Sequence, residues 1–199
     1  MPHGPSGLLE RDESTSSSLI ARLKLRDAEA WRRATRLYAP LVFRWIRRAG
    51  VSESDAADVT QDVFHAVARS IDGFRDDEPG STFRGWLYAI ARNKLLDHFR
   101  RRGAERAAVG GTDALKQIQE LPATPPEGEE AEAEQSELAR RALALLQSDF
   151  QPATWQAFWG TAVDNRPAAE VAAELGISLA AVYKAKSRVL ARLRQELGS

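Results

Sequence analysis

The chain contains no cysteine, which excludes disulfides and thiolate metal sites. Histidine is scarce: His3, His65 and His98 are the whole complement, and their spacing suggests no ligand set. No apolar run approaches the ~20 residues that a membrane span requires, so no membrane insertion is expected. Met1 to Ser18 is polar, carries Pro2, Pro5 and a serine run, and lacks the apolar stretch of a signal peptide. A disordered tail over 1–18 and a cytoplasmic location are the matching expectations. Alternating strand patterns and internal repeats are missing. So are Gly-rich phosphate loops and His–Glu zinc patterns, which argues against a helical enzyme and leaves no cofactor, metal site or catalytic residue to expect.

Net charge is missing too, because 28 Lys and Arg balance 28 Asp and Glu. The sum alone argues against a nucleic-acid partner, but the distribution argues the other way. Arg84, Arg92, Lys94, Arg100, Arg101, Arg102 and Arg106 form one basic block, opposed there by Asp97 and Glu105. Lys184, Lys186, Arg188, Arg192 and Arg194 form a second. Between them runs an acidic series: Glu127, Glu129, Glu130, Glu132, Glu134 and Glu137. Separated positive patches can hold phosphates even when the total is neutral.

What the sequence has in abundance is helical periodicity. Asp27 suits an N-cap, followed by the apolar stripe Trp31, Ala34, Leu37, Tyr38, Leu41, Val42, Trp45 and Ile46. Arg47 and Arg48 complement the helix dipole at its end, and Gly50 stops it. Ser52 suits the next cap, with Ala56, Val59, Val63 and Val67 inward and Asp58, Gln61, Asp62 and His65 outward. A Gly/Asp/Pro loop follows. Ser81 is the expected cap of a third helix over about 83–102, with Phe83, Leu87, Ile90 and Ala91 inward. Residues 19–102 therefore read as one helical domain. Gly110, Gly111, Pro122, Pro125, Pro126 and the glutamates make 103–135 a flexible linker. A second domain is expected over 136–197. Leu138, Ala142, Leu145 and Leu146 line its first helix, and Trp155, Phe158 and Trp159 its second. The fold class is all-α: two small helical domains joined by a flexible acidic linker.

The sharpest local motif is a helix-turn-helix. Pro167 suits a first helical turn, Val171 and Leu175 an inner face, Gly176 the left-handed turn, Ile177 the plug and Ser178 the next cap. Val182, Ala185, Val189 and Leu193 then face inward, leaving Tyr183, Lys184, Ser187 and Arg188 exposed. Such a face can enter a major groove, where an arginine pairs with a guanine edge. A helical hairpin with a solvated basic face is the bland alternative.

The segment Phe83 to Arg102 combines aromatics, an amide and arginines. Aromatic faces stack on unpaired bases, arginines hold the adjacent backbone, and an amide such as that of Asn93 can read a base edge. For any single aromatic, burial in the core is the simpler explanation.

These segments, in this order, resemble bacterial sigma factors of the small extracytoplasmic-function group of the sigma-70 family, over about 19–102 and 136–197. Asp58-Val59-Thr60-Gln61-Asp62-Val63-Phe64 looks like the family's polymerase-docking helix, which grips a coiled coil on the β′ subunit. Phe83-Arg84-Gly85-Trp86-Leu87 with Ile90-Ala91-Arg92-Asn93 looks like the segment that melts and reads the −10 element. The helix-turn-helix looks like the −35 reader. The resemblance implies a sigma region 2 bundle, a region 4 domain, and core RNA polymerase (β′ coiled coil and β subunit) and promoter DNA as partners. An anti-sigma factor is common in the group, though no residue here identifies one. It implies −10 and melting roles for Arg84, Trp86, Tyr88, Asn93, Lys94, Arg100 and Arg101. It implies −35 roles for Ser178, Tyr183, Lys184, Ser187 and Arg188, and polymerase docking by Asp58, Gln61, Asp62 and Phe64. Without the family, an ordinary solvated acidic face is the preferred reading of that last set. Tyr183 stands where a basic residue is more usual. No regulatory domain is expected after Leu197. A further expectation is that the linker glutamates mimic nucleic acid in the polymerase channel. The competing reading is a regulator that uses the helix-turn-helix alone, with 19–102 as a sensing or dimerising domain.

Overall fold

Capping and apolar spacing set the elements of the computed structural model, which describes residues 18–75, 81–107 and 121–198. Among them every regular element is a helix: α1 (Leu19–Lys24), α2 (Ala28–Arg48), α3 (Glu53–Ser70), α4 (Phe83–Ala107), α5 (Glu129–Leu146), α6 (Pro152–Ala162), α7 (Ala168–Leu175) and α8 (Leu179–Leu197). Short 3₁₀ turns follow α3 and α5. The Asp27 carboxylate accepts from the amides of Glu29 and Ala30, which starts α2. Ser52 accepts from Asp55 N and starts α3. The α2 stripe from Ala34 to Ile46 and the inner face of α3 are buried as their spacing requires, Trp31 is partly buried, and Gly50 adopts a positive φ of 79° just past α2. No helix among the described residues is long and apolar enough to cross a membrane.

The boundaries depart from the sequence reading in four places. Thr82, one residue past the expected Ser81, caps α4 by accepting from Gly85 N at 3.0 Å, while the Ser81 hydroxyl donates to the Arg75 carbonyl. Helix α4 runs to Ala107 rather than Arg102. Pro167 stands just before α7 rather than in its first turn. Helix α5 begins at Glu129, not Ser136.

That last shift corrects the expected linker. Both flanks of 103–135 are helical; residues 108–120, like the tail 1–17, lie outside the described residues. A flexible acidic linker would leave its glutamates in water. Instead Glu130 and Glu134 meet Arg48, Glu134 also meets Arg84, and Glu137 meets Arg44 and Arg141. Paired in this way, a glutamate can be buried without neutralising. Glu134 is only 2% exposed.

Helix α5 spans two cores. Leu138 and Ala142 belong to the cluster built by α1–α4, where Tyr38 and Phe83 meet edge to face at 5.0 Å. Leu146 joins Trp155, Phe158 and Val189 in the second bundle. A third cluster, of Ala157, Val171, Ala172, Val182 and Ala185, closes the helix-turn-helix. Trp159, expected inside, is 37% exposed at the rim of a groove with Trp155 and Val171, because α7 covers one side of α6 only.

Candidate nucleic-acid interface

The turn between α7 and α8 fixes how α8 is presented. Gly176 adopts φ 64°, the left-handed region where a side chain would be strained, and its amide closes α7. Ser178 Oγ accepts from Ala181 N at 3.1 Å and starts α8. Val182, Ala185 and Val189 are buried, so the turn of the helix leaves Tyr183, Lys184, Ser187 and Arg188 together on an exposed face. Tyr183 is 59% exposed. Four of the five residues expected to read the −35 element thus form one stripe, and the fifth, Ser178, serves as the cap at its start.

The far end of α8 is tied down. Arg33 of α2 donates from Nε to Glu196 at 2.8 Å and from Nη2 to Asp149 at 3.0 Å. Arg192 lies 3.2 Å from Glu196, which is fully buried. Burial pulls the Arg33 guanidinium down, but hydrogen bonds to the Asp149 and Glu196 carboxylates outweigh it and hold it above its ordinary value. The Tyr38 hydroxyl donates to the Leu197 carbonyl at 2.8 Å, and burial pushes that phenol well up. None of this network was anticipated. Arg33 lies within the apolar stripe of α2, and a cation at such a position is the signal that its partner comes from a distant segment.

Helix α4 carries two stripes. Trp86, Asn93 and Arg100 recur every seven residues and share one side, where Asn93 and Arg100 are exposed and Trp86 is half-buried against Phe74 and Phe83. Arg84, Tyr88 and Arg92 recur every four and share another. The expected −10 set therefore does not fall on one surface. Lys94 is half-buried and belongs to neither stripe. Arg101 turns toward α3, 3.8 Å from Asp62, and Arg102 pairs with Asp55 at 2.8 Å.

The stripe of Arg84, Tyr88 and Arg92 is occupied by the segment that leads into α5. Tyr88 Oη and Arg92 Nε both donate to the Pro122 carbonyl, at 3.2 and 3.0 Å. Burial pushes the Tyr88 phenol up. Glu134 binds Arg84 and Arg48 and accepts from Trp45 Nε1 at 3.0 Å. Arg84 also lies over the Trp45 ring at 5.8 Å. A cleft of about 370 Å³ remains between Trp45, Tyr88, Arg92, Leu121 and Pro126. Sequence reasoning missed Arg48, Trp45 and Glu134 here. The four-residue recurrence of Arg84, Tyr88 and Arg92 opposite a glutamate run was the available signal.

On α3, Asp58 and Gln61 are exposed, Asp62 is half-exposed, and Phe64 packs partly into the core. Three of the four expected docking residues offer a polar surface, while Phe64 anchors the helix beneath it.

Comparison with known proteins finds similar chains. Residues 34–105 match the family model for sigma-70 region 2. The RNA polymerase sigma factor CnrH of Cupriavidus metallidurans is 33% identical over 149 residues, covering 74% of this chain and 75% of that protein. The RNA polymerase sigma factor NccH of Alcaligenes xylosoxydans xylosoxydans is 29% identical over 188 residues, covering 94% and 97%. A solved structure of CnrH in complex with the cytosolic domain of CnrY aligns with a TM-score of 0.37 at 25% identity, covering 88% of this chain and 92% of that one.

Proposed function

From the premise that this chain belongs to the extracytoplasmic-function group of the sigma-70 family, and so serves promoter-specific transcription initiation by RNA polymerase, we propose how its surfaces divide that work. Residues 18–107 form the region 2-like unit and 136–197 the region 4-like unit. The α8 face of Tyr183, Lys184, Ser187 and Arg188 enters the major groove at the −35 element. Its isolation as one exposed polar stripe behind a capped turn is the observation that carries the reading.

On α4, Trp86 holds the melted −10 strand open, Asn93 reads a base, and Arg84, Tyr88 and Arg100 hold the adjacent backbone. An unstacked base finds a better partner in such a site than in the duplex, an exchange of a few kcal/mol per base. Lys94 and Arg101 add positive field rather than direct contacts. Asp58, Gln61 and Asp62 dock against the β′ coiled coil, with Phe64 supporting them. The chain binds and positions; the chemistry belongs to the polymerase, and the site of action is the cytoplasm. CnrH has been solved bound to CnrY, and an anti-sigma protein that covers the α3 and α4 faces is the regulator this chain would accept.

Run-off transcription on genomic templates, with core polymerase of the same organism, tests the proposal. Promoter-specific transcripts appear only when the protein is added. A protein that binds core yet yields none on any template overturns it.

A further inference from the structure

Residues 121–134 lie on α4 and α2 in the manner of a ligand. Three arginines, Arg48, Arg84 and Arg92, surround the aromatic pair Trp45 and Tyr88, whose rings meet edge to face at 5.0 Å. The segment answers each of them: Glu130 and Glu134 for Arg48, Glu134 for Arg84, and the Pro122 carbonyl for Arg92 and Tyr88. Leu121, Pro122 and Pro126 supply the apolar contacts. Spaced anionic groups joined by flat apolar ones are the chemistry of a single nucleic-acid strand, and an arginine-rimmed aromatic cleft is what binds one.

We propose that residues 121–134 are an internal nucleic-acid mimic. They occupy a strand-binding surface made by Arg48, Arg84, Arg92, Trp45 and Tyr88, and a single DNA strand takes their place during promoter opening. This rests on the reading of α4 as the strand-binding helix and extends it in two ways. It adds Arg48, Arg92 and Trp45 to the surface, and it makes access to them conditional. The mimicry expected in the polymerase channel then has a second target, the chain's own α2 and α4. The occupation is incomplete: Arg84 Nε is buried with no hydrogen-bond partner among the described residues, a donor that a phosphate could fill. Glu134 is the deepest anchor, so its release frees the segment as a unit. The open stripe of Trp86, Asn93 and Arg100 needs no such release. The strand therefore meets α4 there first, and the covered stripe adds contacts after the segment leaves.

The experiment uses the full chain, whose lack of cysteine permits clean labelling. Binding of a short fluorescein-labelled single-stranded DNA is followed by anisotropy. Spin labels on Thr124→Cys and Ser70→Cys, both exposed and outside the proposed surfaces, report where the segment lies. Glu134→Gln should tighten DNA binding about tenfold, the order expected from losing one charge-assisted competitor. Glu130→Gln, a surface change that keeps Glu134 in place, should tighten it about twofold to threefold. Saturating DNA should lengthen the interspin distance in the otherwise native chain. If DNA binds while that distance stays fixed and Glu130→Gln has no effect, the strand uses the open stripe alone. The mimic is then overturned, and the assignment of α4 survives. If Trp86→Ala and Arg92→Ala both leave promoter opening by the holoenzyme unchanged, the assignment of α4 falls as well.

Discussion

The two basic helices face opposite constraints. Helix α8 leaves its polar stripe in water, and its attachments to the first bundle sit at the far end, where Glu196 and Leu197 meet Arg33 and Tyr38. Helix α4 has one stripe open and one covered by the chain itself. The difference follows from what each helix would grip. An intact duplex offers its groove from outside, and a rigid, fully exposed face suffices. A melted strand must be held from several sides, and surfaces able to do that are sticky enough to bind an acidic segment of their own chain.

The largest effect that sharpens this contrast comes from Arg33→Ala. It leaves the fully buried Glu196 with Arg192 alone and should cost about 3 kcal/mol or more of stability, measured by thermal or urea denaturation. Because the lost contacts lie far from Tyr183 and Arg188, binding of a −35 duplex by the folded variant in holoenzyme should persist. Stability equal to the native chain would mean that the network does not hold α8. Next comes Arg188→Ala, expected to weaken −35 recognition by about 1–3 kcal/mol if its guanidinium pairs with a base edge. Gel-shift titrations with base substitutions across the element check it, and unchanged affinity and preference would remove Arg188 from the site.

Much of this was legible in the sequence, and the reasons are local. Caps such as Asp27, Ser52 and Ser178, and the Gly176 turn, act within a few residues, so their patterns predict the elements that form. The α8 face follows from one buried stripe of α8. The α4 surface was harder. Spacing puts Arg84 and Asn93 on different sides of α4, but it could not say that the Arg84 side is covered, because that depends on residues far along the chain. Nor could composition place Glu134, whose partners are 50 residues back at Arg84 and 86 back at Arg48. Charge runs were counted as solvated when they were complementary to each other. Even the missed cap of α4 has this character, since Ser81 is drawn off to the Arg75 carbonyl and Thr82 takes its place.

A smaller effect tests whether the α8 face depends on its cap. Ser178→Ala removes the acceptor for Ala181 N and should cost about 1 kcal/mol in stability. The same substitution should weaken −35 binding only slightly, because Tyr183, Lys184, Ser187 and Arg188 stay on one stripe. A loss as large as that of Arg188→Ala would give Ser178 a direct DNA contact.

The contrast between the helices is tested most directly by paired footprinting of the holoenzyme on one of its own promoters. DNase protection reports the upstream element and permanganate reactivity the melted bases. Alanine at Trp86 and Asn93 should abolish permanganate reactivity and leave upstream protection in place, whereas alanine at Tyr183, Lys184 and Arg188 should first erase the upstream protection. Melting that persists without Trp86 and Asn93, or upstream protection indifferent to the α8 residues, would contradict the division of labour between α4 and α8.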